Sequence, residues 1–226
     1  MSMAKPNGNL RLAVLISGSG RTLKNILDEI NADRLDAEVV MVVSNKPSAG
    51  GLQFAENASP VVPTCVVQRT DHDSIKAFSD EIFAACHEAK ADYIVMAGFL
   101  CKISIPSDFE NKVLNIHPSL IPAFCGKSYY GHRVHEAAIE YGVKLSGCTV
   151  HFVNDEYDAG PVILQRKVAI DNDETPDSLA AKVFEQEMIA YPETLRLLAD
   201  DRIVVEGRKV IVLPEEDDDD EDEDSL

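Results

Sequence analysis

Short runs of β-branched and other apolar residues at Leu10 to Ile16, Glu38 to Ser44, Val61 to Val67 and Asp92 to Ala97 alternate with segments whose apolar residues recur at helical spacing. Strands that are apolar on both faces need cover on both faces, and strands separated by helices run parallel. The helical segments are Thr22 to Ile30, a short piece after the turn Pro47 to Gly51, and a long amphipathic stretch from Asp73 to Ala89 with Asp71 as its predicted cap. The chain up to Gly98 therefore reads as one half of a doubly wound sheet.

After Gly98 the rhythm changes. Lys112 to Ile116 reads as a strand and Arg133 to Tyr141 as a helix, but the strand-like segments Leu145 to Val153 and Pro161 to Val168 are separated only by the Asn154 to Gly160 loop. No helix fits between them, so they form an antiparallel hairpin. Asp177 to Leu198 is a closing helix, and Ile203 to Val205 with Val210 to Leu213 a terminal hairpin around Gly207. The predicted fold class is α/β and Rossmann-like, a mostly parallel twisted sheet with an antiparallel late hairpin and helices on both faces. No repeat and no linker divides the body, and residues 1–213 are predicted to be a single domain.

The 226 residues carry a net charge of −18, much of it in ten consecutive acids from Glu215 to Asp224; without them the net charge is −8. A block of like charge with no apolar residue cannot offset the entropy of ordering, so residues 214–226 are predicted to be a disordered acidic tail. A solvated tail that aids solubility and a docking tail for a basic partner both fit it. No basic stripe offsets the charge, which argues against a nucleic-acid partner. No apolar run approaches the roughly 18 residues of a membrane span. The start, Met1 to Asn9, lacks the basic flank and apolar stretch of an export signal, so the expected location is cytoplasmic, away from any membrane. Five scattered cysteines, Cys65, Cys86, Cys101, Cys125 and Cys148, include no Cys-x-x-Cys pair and read as free thiols.

Three stretches carry candidate chemistry. Ser17-Gly18-Ser19-Gly20-Arg21-Thr22 joins a strand to a helix, where backbone N–H groups and the helix dipole suit a phosphate; a plain tight turn fits it equally well. In Asn115-Ile116-His117-Pro118-Ser119, alternation along a strand turns Asn115 and His117 to the same side at a carboxyl end, the ligand end of open α/β sheets. An amide and an imidazole there can both aim N–H groups at a developing oxyanion, although a core histidine with satisfied hydrogen bonds leaves the same trace. Finally, Asp155-Glu156-Tyr157-Asp158-Ala159-Gly160-Pro161 can bring a carboxylate over the same edge to orient His117 and favour its protonated form, or can be an ordinary polar turn. His72, His87, His132, His135 and His151 show no metal-ligand spacing, and no metal is expected.

Taken in order, Leu15-Ile16-Ser17-Gly18, Ser44-Asn45-Lys46, Ala97-Gly98-Phe99, Leu114 to Pro122, His151-Phe152-Val153, Asp158 to Ile163, Gln186-Glu187 and Tyr191-Pro192 resemble the phosphoribosylglycinamide formyltransferases, the folate-dependent family of purine synthesis. The resemblance spans Leu10 to Leu213. Methionyl-tRNA formyltransferases and formyltetrahydrofolate hydrolases share that core, with an added carboxy-terminal RNA domain in the first and an amino-terminal regulatory domain in the second; neither extension is expected here.

The resemblance implies that 10-formyltetrahydrofolate, as co-substrate, gives its formyl group to the amine of 5-phosphoribosylglycinamide by direct attack through a tetrahedral oxyanion. It implies catalytic roles for Asn115, His117 and Asp158, with Gly20, Arg21 and Thr22 at the nucleotide phosphate and Glu187 at the same substrate. The formyl-folate is implied to lie against Leu100, Cys101, Lys102, Ile103, Asn115, Asn154, Asp155, Glu156 and Tyr157. The Phe124 to His135 stretch is longer than in short members of the family, and its Lys127, Tyr129 and Tyr130 either cover the site or form plain surface. The expected state is a monomer or homodimer. Another folate-dependent formyltransferase, with an amino sugar nucleotide as acceptor, and a folate- or nucleotide-binding relative without catalysis are the alternatives.

Overall fold

In the computed structural model, which describes residues 9–215, successive residues of the first strand enter different cores. Within β1 (Leu10–Ile16), Leu12, Val14 and Ile16 pack with Leu23 and Ile26 of α1 (Arg21–Asn31), whereas Ala13 and Leu15 pack with Phe78, Ile82 and Phe83 of α3 (Ile75–Glu88). A strand buried on both faces must be apolar, and this is why the run is uninterrupted from Leu12 to Ile16, while Arg11, near the start of the strand, is partly exposed and pairs with Glu38.

The sheet has seven strands in the order β3-β2-β1-β4-β5-β6-β7. β2 (Ala37–Ser44), β3 (Thr64–Val66), β4 (Tyr93–Met96) and β5 (Val113–His117) run parallel to β1, and β6 (Leu145–Phe152) and β7 (Val162–Ala169) add an antiparallel extension. α2 (Leu52–Glu56), α4 (His132–Tyr141) and α5 (Pro176–Ala199) complete the helices, and β8 (Ile203–Glu206) with β9 (Lys209–Val212) forms the separate terminal hairpin. The expected fold class holds in each of these respects.

Two local expectations do not. The third strand is confined to Thr64–Val66, because Pro63 has no N–H to give to a ladder and Val61 is exposed. Asp71 does not cap α3: it sits in a short 3₁₀ turn, and the Oγ of Ser74 accepts the Ala77 N–H at 3.0 Å instead. Pro214 and Glu215 are exposed and lie outside the regular elements, and the rest of the expected acidic tail lies outside the described residues. No helix among the described residues is long and apolar enough to cross a membrane.

The chain leaves β1 for β2 on one side and reaches β4 on the other, so the carboxyl ends of β1 and β4 flank the point where strand order reverses. The Tyr191 hydroxyl, buried in α5, lies 3.1 Å from the Met96 carbonyl and 3.0 Å from that of Leu114, tying the helix to the end of β4 and to the first half of β5.

Candidate active site

The turn after β1 is built around two glycines in contact. Gly20 has φ +71, and a Cβ there would stand 2.5 Å from the Gly51 Cα, so neither conformation nor space admits a side chain. The Gly51 N–H donates to the Gly18 carbonyl at 3.0 Å and closes the turn. No acid stands in the first turn of α1, leaving its positive end uncompensated toward the cleft. The Arg21 guanidinium lies 3.9 Å from the Phe184 ring centroid, a cation–π contact that holds the charge at the mouth of the turn.

At the end of β5, Asn115 and His117 project to one side as alternation requires, and a third group meets them. The Asn115 Nδ2 donates to the His151 Nε2 at 3.3 Å. His151 comes from β6, whose antiparallel register sets it directly opposite Asn115. Its Nδ1 gives a proton to the Phe152 carbonyl at 2.8 Å, which leaves Nε2 as acceptor, and burial holds the ring below the usual histidine range. The amide of Asn115 is thereby fixed with its nitrogen toward a neutral imidazole.

Asp158 arrives from the loop between β6 and β7. Its Oδ2 lies 3.5 Å from His117 Nδ1 and accepts the Gly126 N–H at 2.8 Å, while Oδ1 lies 3.7 Å from His151 Nε2. The other His117 nitrogen, Nε2, donates to the Phe124 carbonyl at 2.9 Å. Both nitrogens of this 4 %-exposed ring thus face oxygen, so there are acceptors for two protons. Asp158 itself has φ +52, held by a close approach behind it: a Cβ on Gly160 would fall 1.8 Å from the Phe152 carbonyl oxygen.

One cleft of about 1190 Å³ collects all the residues implied above. Gly20, Arg21, Thr22 and Glu187 line one part, and Leu100 to Ile103 and Asn154 to Tyr157 another, with Asn115, His117 and Asp158 also on its wall. Ser17 Oγ accepts the Leu100 N–H at 2.9 Å and joins the turn after β1 to the loop after β4. Lys102 Nζ stands 5.3 Å from the Tyr157 ring centroid. Burial pushes the Glu187 carboxyl up to about 7, against the pull of nearby Arg21. Of the two readings left open for the Phe124 to His135 stretch, cover fits: Gly126 to Arg133 and His135 all face the cleft. Sequence reasoning missed His151, Phe184 and the Phe124 carbonyl. The register of β5 on β6 is the signal for the first; the other two depend on packing between helices and loops.

A profile of the formyl transferase family matches residues 10–195. The chain is 36 % identical over 196 residues to the phosphoribosylglycinamide formyltransferase of Escherichia coli K12, covering 86 % of this chain and 89 % of that one. It is 35 % identical over 196 residues to the chloroplastic phosphoribosylglycinamide formyltransferase of Vigna unguiculata, covering 86 % of this chain but spanning only 62 % of the plant protein's length. Among solved structures, glycinamide ribonucleotide transformylase 1 from Symbiobacterium toebii superposes with a TM-score of 0.86 at 36 % identity, covering 95 % of this chain and 99 % of that one. The chain belongs to the formyl transferase family and within it is similar to the phosphoribosylglycinamide formyltransferases.

Proposed function

We propose that the protein transfers a formyl group from 10-formyltetrahydrofolate to the amine of 5-phosphoribosylglycinamide, a step of purine biosynthesis. The observation that carries this reading is the convergence of Asn115, His117 and Asp158 in a cleft that also holds the glycine-rich turn and Arg21. The amine attacks the formyl carbon, and the carbonyl oxygen gains negative charge. Asn115 Nδ2 and the His117 Nε2–H, which leaves the Phe124 carbonyl for the new oxyanion, donate to it. Asp158 supports the imidazolium through Nδ1 and relays the proton lost by the attacking amine, through water, to N10 of the folate. The bond from the formyl carbon to N10 then breaks, leaving formylated acceptor and tetrahydrofolate.

The acceptor's phosphate goes to Gly20, Arg21 and Thr22, with Glu187 on its glycinamide ribose portion, while the pterin lies against Leu100 to Ile103 and the Asn154 to Tyr157 loop. A single chain supplies every group invoked, so a monomer and a homodimer work alike. Five unpaired cysteines suit a reducing compartment, which favours the cytoplasm. The test mixes the purified chain with 10-formyltetrahydrofolate and either 5-phosphoribosylglycinamide or an amino sugar nucleotide, and follows tetrahydrofolate release. Release with the first acceptor alone supports the proposal; release only with the second, or with neither, defeats it.

A further inference from the structure

Among the cleft-wall groups that the mechanism does not use, one is buried with an unpartnered nitrogen. His135 lies in the second turn of α4 and is only 4 % exposed, yet it lines the cleft, and its Nδ1 is buried with no hydrogen-bond partner. A polar atom buried without a partner costs on the order of a hydrogen bond, so such groups are rare in folded chains. An orphaned lone pair costs less than an orphaned N–H. The proton therefore belongs on Nε2, and what remains accessible of the ring opens on the cleft.

The surroundings say what such a donor meets. Burial, with His132 and His117 nearby, pushes the imidazole down to about 4, so it is neutral at ordinary pH. Its neighbours in the first turn of α4 are His132, with ring centroids 6.4 Å apart, and Arg133, which lies over Tyr130. A neutral donor adds no charge for a phosphate, for which Arg21 and the turn after β1 are already placed. It suits an uncharged oxygen, that of a carboxamide or a hydroxyl.

We infer that His135 is a specificity-determining residue for the acceptor, its Nε2–H donating to the carboxamide oxygen or to a ribose hydroxyl oxygen of 5-phosphoribosylglycinamide. This rests on the acceptor proposed above and extends its recognition to a residue of α4. The ring reads the uncharged middle of the substrate while the turn after β1 reads its charged end. An acceptor with a phosphate but no oxygen at that point would leave the Nε2–H buried and unpaired, which is how a site rejects a near miss.

The experiment compares native chain, His135→Phe, His135→Gln and His135→Asn in the formyl-transfer assay, with thermal midpoints measured in parallel. His135→Phe keeps the ring and removes both nitrogens. The acceptor KM is expected to rise about 10-fold or more, the formyl-folate KM to stay within about twofold, and the thermal midpoint not to fall, since an orphaned nitrogen is lost. Glutamine, whose amide reaches the place of Nε2, restores most of the acceptor KM; asparagine, which reaches only the place of Nδ1, does not. Competitive inhibition by ribose 5-phosphate locates the oxygen. A weaker inhibition of His135→Phe assigns the hydroxyl, and an unchanged one assigns the carboxamide. An acceptor KM that does not move, two KM values that rise together with a lower midpoint, or rescue by asparagine alone overturns the inference and leaves the formyl-transfer reading intact. A native chain inactive toward this acceptor overturns both.

Discussion

An oxyanion is stabilised most by donors that are already aimed before it forms, and the Asn115 amide meets that condition through His151, which holds one of its N–H bonds. Replacing Asn115 or His117 by alanine is expected to leave a folded protein whose turnover falls about 100- to 1,000-fold, as for loss of one oxyanion donor. Steady-state rates together with circular dichroism check both halves of that statement. Glu187 makes a different prediction. Its carboxyl is raised from 4.5 to about 7, so between those values the folded state holds a proton that the unfolded state has lost. Stability from this group is full below pH 4.5, declines as pH rises toward 7, and is level beyond. His135, lowered from 6.5 to about 4, has the opposite slope: level above 6.5 and declining as pH falls toward 4. Glu187→Gln should remove the first slope, leaving its thermal midpoint ahead of the native chain by on the order of 5 °C at pH 8 and converging with it near pH 5. Calorimetry across that range decides it. The convergence of Asn115, His117 and Asp158, the trio proposed for catalysis, was legible because spacing of two along a strand and an acidic turn are local signals. His151 was not, since only the pairing of two distant strands tells which of its residues faces Asn115.

Among the elements, the strands were readable because burial on both faces leaves no polar interruption, as in residues 12–16 of the first strand. The start of α3 was not, since Thr70, Asp71, Asp73 and Ser74 all bear side chains able to cap and only the path of the chain selects Ser74. Ser74→Ala is expected to cost about 1 kcal/mol in urea unfolding, and Asp71→Ala markedly less. The loop that carries Asp158 is set by an equally local contact. With a Cβ on Gly160 only 1.8 Å from the Phe152 carbonyl oxygen, Gly160→Ala must push the loop away from β6 and draw Asp158 off His117. A displacement of about 1 Å costs roughly 100-fold in rate, so this variant should lose activity on that order with its substrate KM values less affected. Retained activity would show that the loop carries Asp158 into place by some other constraint.

For the whole molecule, charge is distributed against its own total. The net charge is −18, yet five basic side chains, Arg21, Lys46, Lys102, Lys127 and Arg133, face the cleft beside four acidic ones, Asp155, Glu156, Asp158 and Glu187. Arg21, Lys102 and Arg133 lie over aromatic rings, which hold each charge without neutralising it. An anionic substrate is therefore repelled at long range by the body and drawn in only near the mouth. The run of acids beginning at Glu215 adds to the repulsion, and deleting residues 216–226 removes nine carboxylates while leaving every residue invoked in the chemistry. At low ionic strength the shortened chain should show a higher kcat/KM for the phosphorylated acceptor, by about twofold, with thermal midpoint unchanged. The difference should vanish well above 0.1 M salt, where charges farther apart than about 10 Å are screened. If the gain persists at high salt, the terminal segment acts by contact rather than by field, and the docking reading of the acidic run takes precedence over the solvating one.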